Sequence, residues 1–159
     1  AEAFHAVSHQ GDAGLLWQTP LPGFSLGAAY QYHGGDIVFE EAGDPPPKTW
    51  RYGFALRLPA IDAKKVDPQV DLEAFDLTLA GDMVKTVFED ASPRAGLELG
   101  LTPASMSRVA LRFGWVFNRF AEGMTFGAGF KSGRLTLDYG YGSAGDMRPL
   151  QNITLGMAF

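Results

Sequence analysis

Strict alternation of large apolar residues with small or polar ones recurs along this chain, and it is clearest at the C-terminal end. In LQNITLGMAF the odd positions from 153 are Ile153, Leu155, Met157 and Phe159, and the even ones are Asn152, Thr154, Gly156 and Ala158. Successive side chains of an extended strand point to opposite faces, so a period of two predicts a strand with one apolar face and one small or polar face. RLTLDYGYG repeats the pattern, with Leu135, Leu137, Tyr139 and Tyr141 against Arg134, Thr136, Asp138 and Gly140. A chain built from such segments is confined to antiparallel sheet.

The pattern extends upstream. Residues 1–12 alternate weakly and read as a loop or partial strand, and Ala13 to Gln18 as a short strand closed by Thr19-Pro20-Leu21-Pro22-Gly23, whose prolines cannot donate to a ladder. Phe24 to His33 places Phe24, Leu26, Ala28, Tyr30 and Tyr32 on one face and Ser25, Gly27, Ala29, Gln31 and His33 on the other. Residues 34–49 form an acidic loop with three successive prolines, which excludes a central strand. Trp50 to Leu58, Phe75 to Met83, Arg94 to Leu101, Arg108 to Phe117 and Met124 to Lys131 alternate in turn. They are separated by a long polar connection over 59–73, a loop over 85–93, a tight connection over 102–107 and a turn over 118–123. Ser132-Gly133 reads as a two-residue hairpin turn. The expectation is nine strands, or ten if the N-terminal stretch adds one, with no helix of ordinary length.

A soluble sandwich also alternates, so the class of residue on each face decides the matter. A solvated sheet face favours long charged side chains, especially lysine. Here the apolar face is large and aromatic, while the other carries Gly, Ala, Ser and Thr punctuated by charges. Small residues with charges of both signs suit a narrow barrel interior, and the pattern predicts an all-β, antiparallel up-and-down transmembrane β-barrel occupying residues 1–159 as one domain. The predicted inward charges are Arg51, Arg57, Asp76, Asp82, Arg94, Glu98, Arg108, Arg112, Lys131, Arg134 and Asp138. Two readings stand for them: an ion-pair network filling the lumen, or the lining of a selective channel. Burying either sign alone is costly, which favours pairing, with Arg112 and Arg134 the candidate partners of Asp138. Counting strand directions back from Phe159 puts Tyr30, Tyr32, Trp50, Tyr52, Trp115, Phe117, Tyr139 and Tyr141 at one end of their strands, and Trp17, Phe24, Phe75, Phe130 and Phe159 at the other. Two aromatic girdles are what membrane interfaces require. The same count makes 59–73 the exception, a long connection on the side of short turns.

Composition narrows the function. A formal charge of -5 argues against nucleic-acid binding, and the absence of cysteine excludes disulfides and thiolate metal sites. No segment reaches the roughly 18 to 20 apolar residues of a transmembrane helix. The N-terminus carries no basic, apolar leader, so Ala1 reads as a mature terminus or an internal cut. His5 and His9 stand four apart without a helix or a third ligand, and Ser25 and His33 lie too far apart along one strand to act together. Neither an enzyme nor a metal or other cofactor is expected.

The run RAGLELGLTP, then RVALRFGWVF, then GMTFGAGFKSGRLTLDYGYGSAGDM, with the ending NITLGMAF, resembles the C-terminal half of the PorV/PorQ family of FadL-like outer-membrane barrels. The resemblance rests on Gly123, Phe126, Gly127, Gly129 and Phe130, on Leu137, Asp138, Tyr139 and Tyr141, and on Gly145-Asp146; Asp12-Ala13-Gly14-Leu15 and Phe24-Ser25-Leu26-Gly27 fit more loosely. It implies a fourteen-stranded barrel of about twice this length, of which this chain is the C-terminal portion, in a bacterial outer membrane. It implies a PorV-like component in secretion or transport, or a FadL-like passive channel for hydrophobic small molecules. Phe159 would be the signal read by the barrel-insertion machinery, other envelope or secretion proteins the partners besides outer-membrane lipid, and loop 34–49 a place for cargo. A small structural membrane anchor and a soluble lipid-binding β-barrel or sandwich remain the other readings.

Overall fold

The computed structural model describes residues 9–39, 42–103, 107–119, 123–145 and 148–158. In chain order its elements are β1 (Gln10–Gln18), β2 (Phe24–Gly34), β3 (Ile37–Phe39), β4 (Ala42–Asp44), β5 (Thr49–Arg57), β6 (Ile61–Asp62), α1 (Ala63–Val66), β7 (Leu72–Thr86), β8 (Ser92–Pro103), β9 (Ser107–Val116), β10 (Met124–Ser132), β11 (Leu135–Gly142) and β12 (Leu150–Met157). One antiparallel meander runs β1-β2-β5-β7-β8-β9-β10-β11-β12. β6 adds two residues against β7, and β3 with β4 forms a separate small hairpin inside the expected acidic loop. The chain is nearly all antiparallel β. Its sheet is not closed: among the described residues β1 and β12 each pair on one side only.

The register keeps the alternation in phase across the sheet. Leu16, Gly27, Gly53, Asp82, Arg94 and Val116 stand in one cross-strand row on the small-residue face. Glu98, Arg112, Gly127, Gly140 and Asn152 form a second row on that face. The alternate rows carry the apolar side chains, such as Leu97, Phe113, Phe126 and Tyr141. Residues 59–73 do not upset the count, because β5 pairs directly with β7 while β6 and α1 fold back beside it. Asp62 caps α1, its carboxylate accepting from the Lys64 N–H at 3.1 Å.

Four expectations need correction. Strands run longer than alternation alone marks: β7 reaches Thr86 and β8 begins at Ser92, which shortens the loop expected over 85–93. Residues 10–12 belong to β1 rather than to a preceding loop. The two-residue turn is Gly133-Arg134, because Ser132 pairs with Leu135, and Gly133 takes φ +55° as the first central position of such a turn requires. Arg134 therefore sits at a hairpin tip instead of inside a strand. Lastly, a bulge shifts the β1–β2 register between Gly11 and Ala13. The Asp12 carboxylate accepts from the Tyr32 N–H at 2.7 Å, and Tyr32 adopts φ +60°. Beyond the bulge the faces exchange. His33 thus lies beside Tyr30, with ring centroids 5.5 Å apart, and not on the Ser25 face.

Glycine is structurally required where strands crowd. A Cβ on Gly53 would stand 2.6 Å from the Gly81 carbonyl oxygen and 2.7 Å from the Asp82 Cβ, whereas one on Gly140 would meet nothing within 4 Å. Backbone cannot yield as a flexible side chain does, so Gly53→Ala is expected to cost about 1–3 kcal/mol of stability and Gly140→Ala close to nothing. Urea unfolding of the two variants, followed by circular dichroism in detergent, checks this; equal midpoints would refute the crowding argument.

Candidate functional site

The small-residue face carries a chain of ion pairs that crosses the strands. Arg108 on β9 grips Asp76 on β7 with both guanidinium nitrogens, at 2.7 and 2.9 Å, and reaches Glu98 on β8 at 3.2 Å. Arg112, two periods of the pleat further along β9, donates from Nε to the other Glu98 oxygen at 2.7 Å and from Nη1 to Asp138 on β11 at 2.6 Å. The five side chains Asp76, Arg108, Glu98, Arg112 and Asp138 thus form one continuous ladder. To reach Asp138, Arg112 must pass over β10, and β10 offers glycine there. A Cβ on Gly129 would lie 2.7 Å from the Asp138 carboxylate and 3.1 Å from the Arg112 guanidinium, and one on Gly127 would lie 3.3 Å from the Arg112 Cβ. On β8, Gly100 leaves the same room for the Arg108–Asp76 pair. The glycines make flat ground on which the guanidinium planes rest.

A second, looser cluster lies toward the other end of the same face. Arg51 reaches Asp82 at 3.3 Å, and Arg94 stands directly opposite Asp82 in the β7–β8 register. Of the other predicted inward charges, Arg57 and Lys131 do face this side, but among the described residues no ion pair joins them or Arg134. Arg57 instead donates its backbone N–H to the Gly23 carbonyl at 2.8 Å beside the first turn. Together the rows bound one cavity of about 840 Å³, lined from Leu16 on β1 to Thr154 on β12.

The opposite face is the reverse in character. Trp50, Tyr52, Phe54, Leu111, Phe113 and Trp115 are all exposed on it, as are Leu135, Leu137 and Tyr139. Tyr30 stacks on Trp50 with centroids 4.3 Å apart, and Trp115 with Phe117 and Phe126 with Tyr141 make tilted ring pairs. These aromatics cluster at the strand ends that carry the longer loops, with Tyr32 at the bulge. Trp17 and Phe130, both exposed, mark the end with the Gly133-Arg134 turn. Phe159, His5 and Asp146 lie outside the described residues.

At the loop end two ties went unseen in the sequence. Ser92, fully buried, donates to the Phe117 carbonyl at 2.8 Å, and Arg119 bonds the Glu89 carboxylate at 2.6 Å. The Arg119 guanidinium holds the Glu89 carboxyl below its ordinary range, so acid loosens this tie by protonating the carboxylate. Both ties join residues 25 to 30 apart in sequence, and only the strand register brings them together. Among the described residues no group of three His, Cys, Asp or Glu side chains is placed to hold a metal ion. No protein family, curated protein or solved structure matches the chain.

The two ends of the ladder differ in burial, and so in energetic weight. The Asp76 side chain is only 9% exposed, while the Arg112–Asp138 pair is 43% and 32% exposed. Removing one partner of a buried pair strands a charge, so Arg108→Ala is expected to cost about 3–5 kcal/mol; Asp138→Asn, at a more open pair, costs about 0.2–1 kcal/mol. Chemical unfolding of the two variants measures this, and similar losses would mean that the ladder has no buried anchor.

Proposed function

We propose that this chain forms wall of an outer-membrane β-barrel that is not an enzyme and serves secretion or transport, in the manner of the PorV-like proteins it resembles. The observation that carries the reading is the continuous apolar face. Large aliphatic and aromatic side chains stand exposed on every strand of the meander, whereas soluble monomers rarely expose contiguous apolar patches beyond a few hundred Å². A hydrocarbon solvent removes that difficulty. Among the described residues, seven of the nine meander strands, at 9 to 15 residues, reach the roughly 9–11 tilted residues that a crossing takes, and β11 and β12, at 8 each, fall one residue short of it. The aromatics near both strand ends fit the two interfaces, and the charged residues in the middle of the strands are gathered on the face turned away from lipid, with Lys85 beside Trp50 near a strand end.

The cavity supports a second reading within the same setting, a FadL-like passage for hydrophobic small molecules. About 840 Å³, with Gly, Ala, Ser and Thr making up half of the lining residues, is room enough for an acyl chain. An acyl chain found in the cavity would favour this passage over a protein-secretion component.

The membrane reading predicts opposite responses on the two faces. Leu111→Arg, near the middle of β9 on the apolar face, is expected to cost about 2–4 kcal/mol for folding into bilayers, while Thr154→Arg on the small-residue face is tolerated. Folding titrations into lipid vesicles decide it. Equal tolerance, together with a chain that stays in the aqueous phase without detergent, would mean that the apolar face meets something other than lipid.

A further inference from the structure

One charged side chain departs from the segregation of the two faces. Along the paired strand rows of the apolar face, among the described residues, Lys85 is the only Asp, Glu, Lys or Arg. A lysine turned to lipid at mid-depth is costly, but near a strand end its long stem carries the ammonium to the headgroups. Lys85 is the penultimate residue of β7, and directly opposite it on β5 stands Trp50, which stacks on Tyr30. The Lys85 ammonium donates to the Glu89 carbonyl. No ion pair joins it among the described residues, because the Glu89 carboxylate is bonded to Arg119. An ammonium carries three donors, so one bond to a carbonyl leaves capacity for a ligand.

Below Lys85 the apolar surface is indented. Three successive rows, read toward the loop end, are Leu26–Phe54–Gly81–Ala95, Ala28–Tyr52–Met83–Pro93 and Tyr30–Trp50–Lys85. Gly81 and Ala95 contribute almost no bulk to the first, and the face holds a groove of about 530 Å³ lined on this side by Leu26, Tyr52, Phe54, Gly81 and Met83. The groove depends on the missing side chain: a Cβ on Gly81 would stand 2.9 Å from the Phe54 ring. The Trp50–Lys85 row borders it at the loop end, one pleat period, about 7 Å, from Tyr52 and Met83.

We propose that Lys85 and this groove bind a lipid with an anionic phosphate headgroup, the phosphate on the ammonium beside Trp50 and one acyl chain along Phe54, Gly81 and Met83. The order of chemistry along β7 is that of such a lipid, with charge at the loop end and an apolar groove toward the middle of the strand. Charge also selects this occupant over an apolar one. A partner strand or helix laid on the groove would bury Lys85 without a counter-charge, which is costly, whereas a phosphate supplies it. The site rests on the membrane reading for the lipid around the apolar face.

The test uses the full-length protein extracted in detergent, offered equal amounts of dioleoyl phosphatidylglycerol and dioleoyl phosphatidylcholine, with bound lipid read by native mass spectrometry. One phosphatidylglycerol per chain is expected to be retained in preference to phosphatidylcholine. Lys85→Gln, whose amide can still donate to the Glu89 carbonyl, is expected to lower that retention about fivefold, the weight of one basic residue at an anionic surface, and Lys85→Arg to restore it. Gly81→Leu, or Met83→Trp where that variant does not fold, fills the groove and is expected to lower retention with Lys85 intact. Equal retention of the two lipids, or retention unchanged by Lys85→Gln, would overturn the site. Retention unchanged by the groove-filling variants, or loss of the lipid to equimolar inorganic phosphate, would overturn it in favour of a surface anion contact. Fractionation keeps the two readings apart: a chain that needs detergent yet holds both lipids alike refutes the site alone, and a chain that stays in the aqueous phase refutes the membrane reading whatever lipid it holds.

Discussion

Arg112 can reach Asp138 only because β10 has no side chain in the way. That dependence of a charge pair on the glycines of the strand lying between its two partners is the interaction on which the small-residue face is built. Backbone hydrogen bonds hold neighbouring strands, but they act between adjacent strands alone. The ladder from Asp76 to Asp138 spans from β7 to β11 with side chains, and it fixes the middle of the sheet in a direction that the backbone does not. Its energy is concentrated at the buried Asp76 end, where a bidentate guanidinium replaces the lost hydration of the carboxylate.

The difference in residue size between the faces follows from the same arrangement. Guanidinium groups lying flat need glycine and alanine beneath them, and the bulk that fills the pleat is displaced to the other side. Phe54 illustrates this at Gly81, where its ring edge comes within 2.9 Å of the place a Cβ would occupy, so an aromatic side chain covers a glycine of the next strand on the apolar face. A sheet with large side chains on one face and small ones on the other curls toward the small face. The cavity bounded from Leu16 to Thr154 is consistent with such curling.

The two faces were legible from the sequence because they depend only on a period of two. Each meander strand from β5 to β12 shows it without reference to any neighbour, and the placement of Asp76, Glu98, Arg112 and Asp138 on one face follows from parity. Which charges meet was not legible. Arg134 is as close in sequence to Asp138 as a candidate partner need be, but the turn begins one residue later than the Ser-Gly pair suggests and carries Arg134 to a hairpin tip. The partner of Asp138 is set by the β9–β10–β11 register, which no single strand encodes. His33 shows the other way in which periodicity fails. One side-chain hydrogen bond, from the Tyr32 N–H to Asp12, holds an extra residue in β2 and exchanges the faces beyond it. Strand ends were short for a related reason: Val84, Lys85 and Ser92 carry no alternation worth reading, yet ladder partners draw them into the sheet, Val84 between Arg51 and Ser92 and Lys85 beside Trp50.

The flatness of the ladder also bears on the two readings of the inward charges. A network that filled the interior would project from the wall and meet side chains from the opposite side. Arg108 and Arg112 instead turn along the sheet, their partners come from strands within the same wall, and a cavity of about 840 Å³ remains above them. Two positive and three negative charges interleave at close range and leave one net negative charge spread over the ladder, so the wall presents only a weak field to whatever occupies that space. Under the proposed membrane reading, such a surface is polar enough to be wetted and too nearly neutral to select an ion by sign. It suits the lining of a passage or a supporting wall better than an electrostatic filter, and the Arg51–Asp82 pair toward the loop end continues the same pairing of opposite charges along the wall.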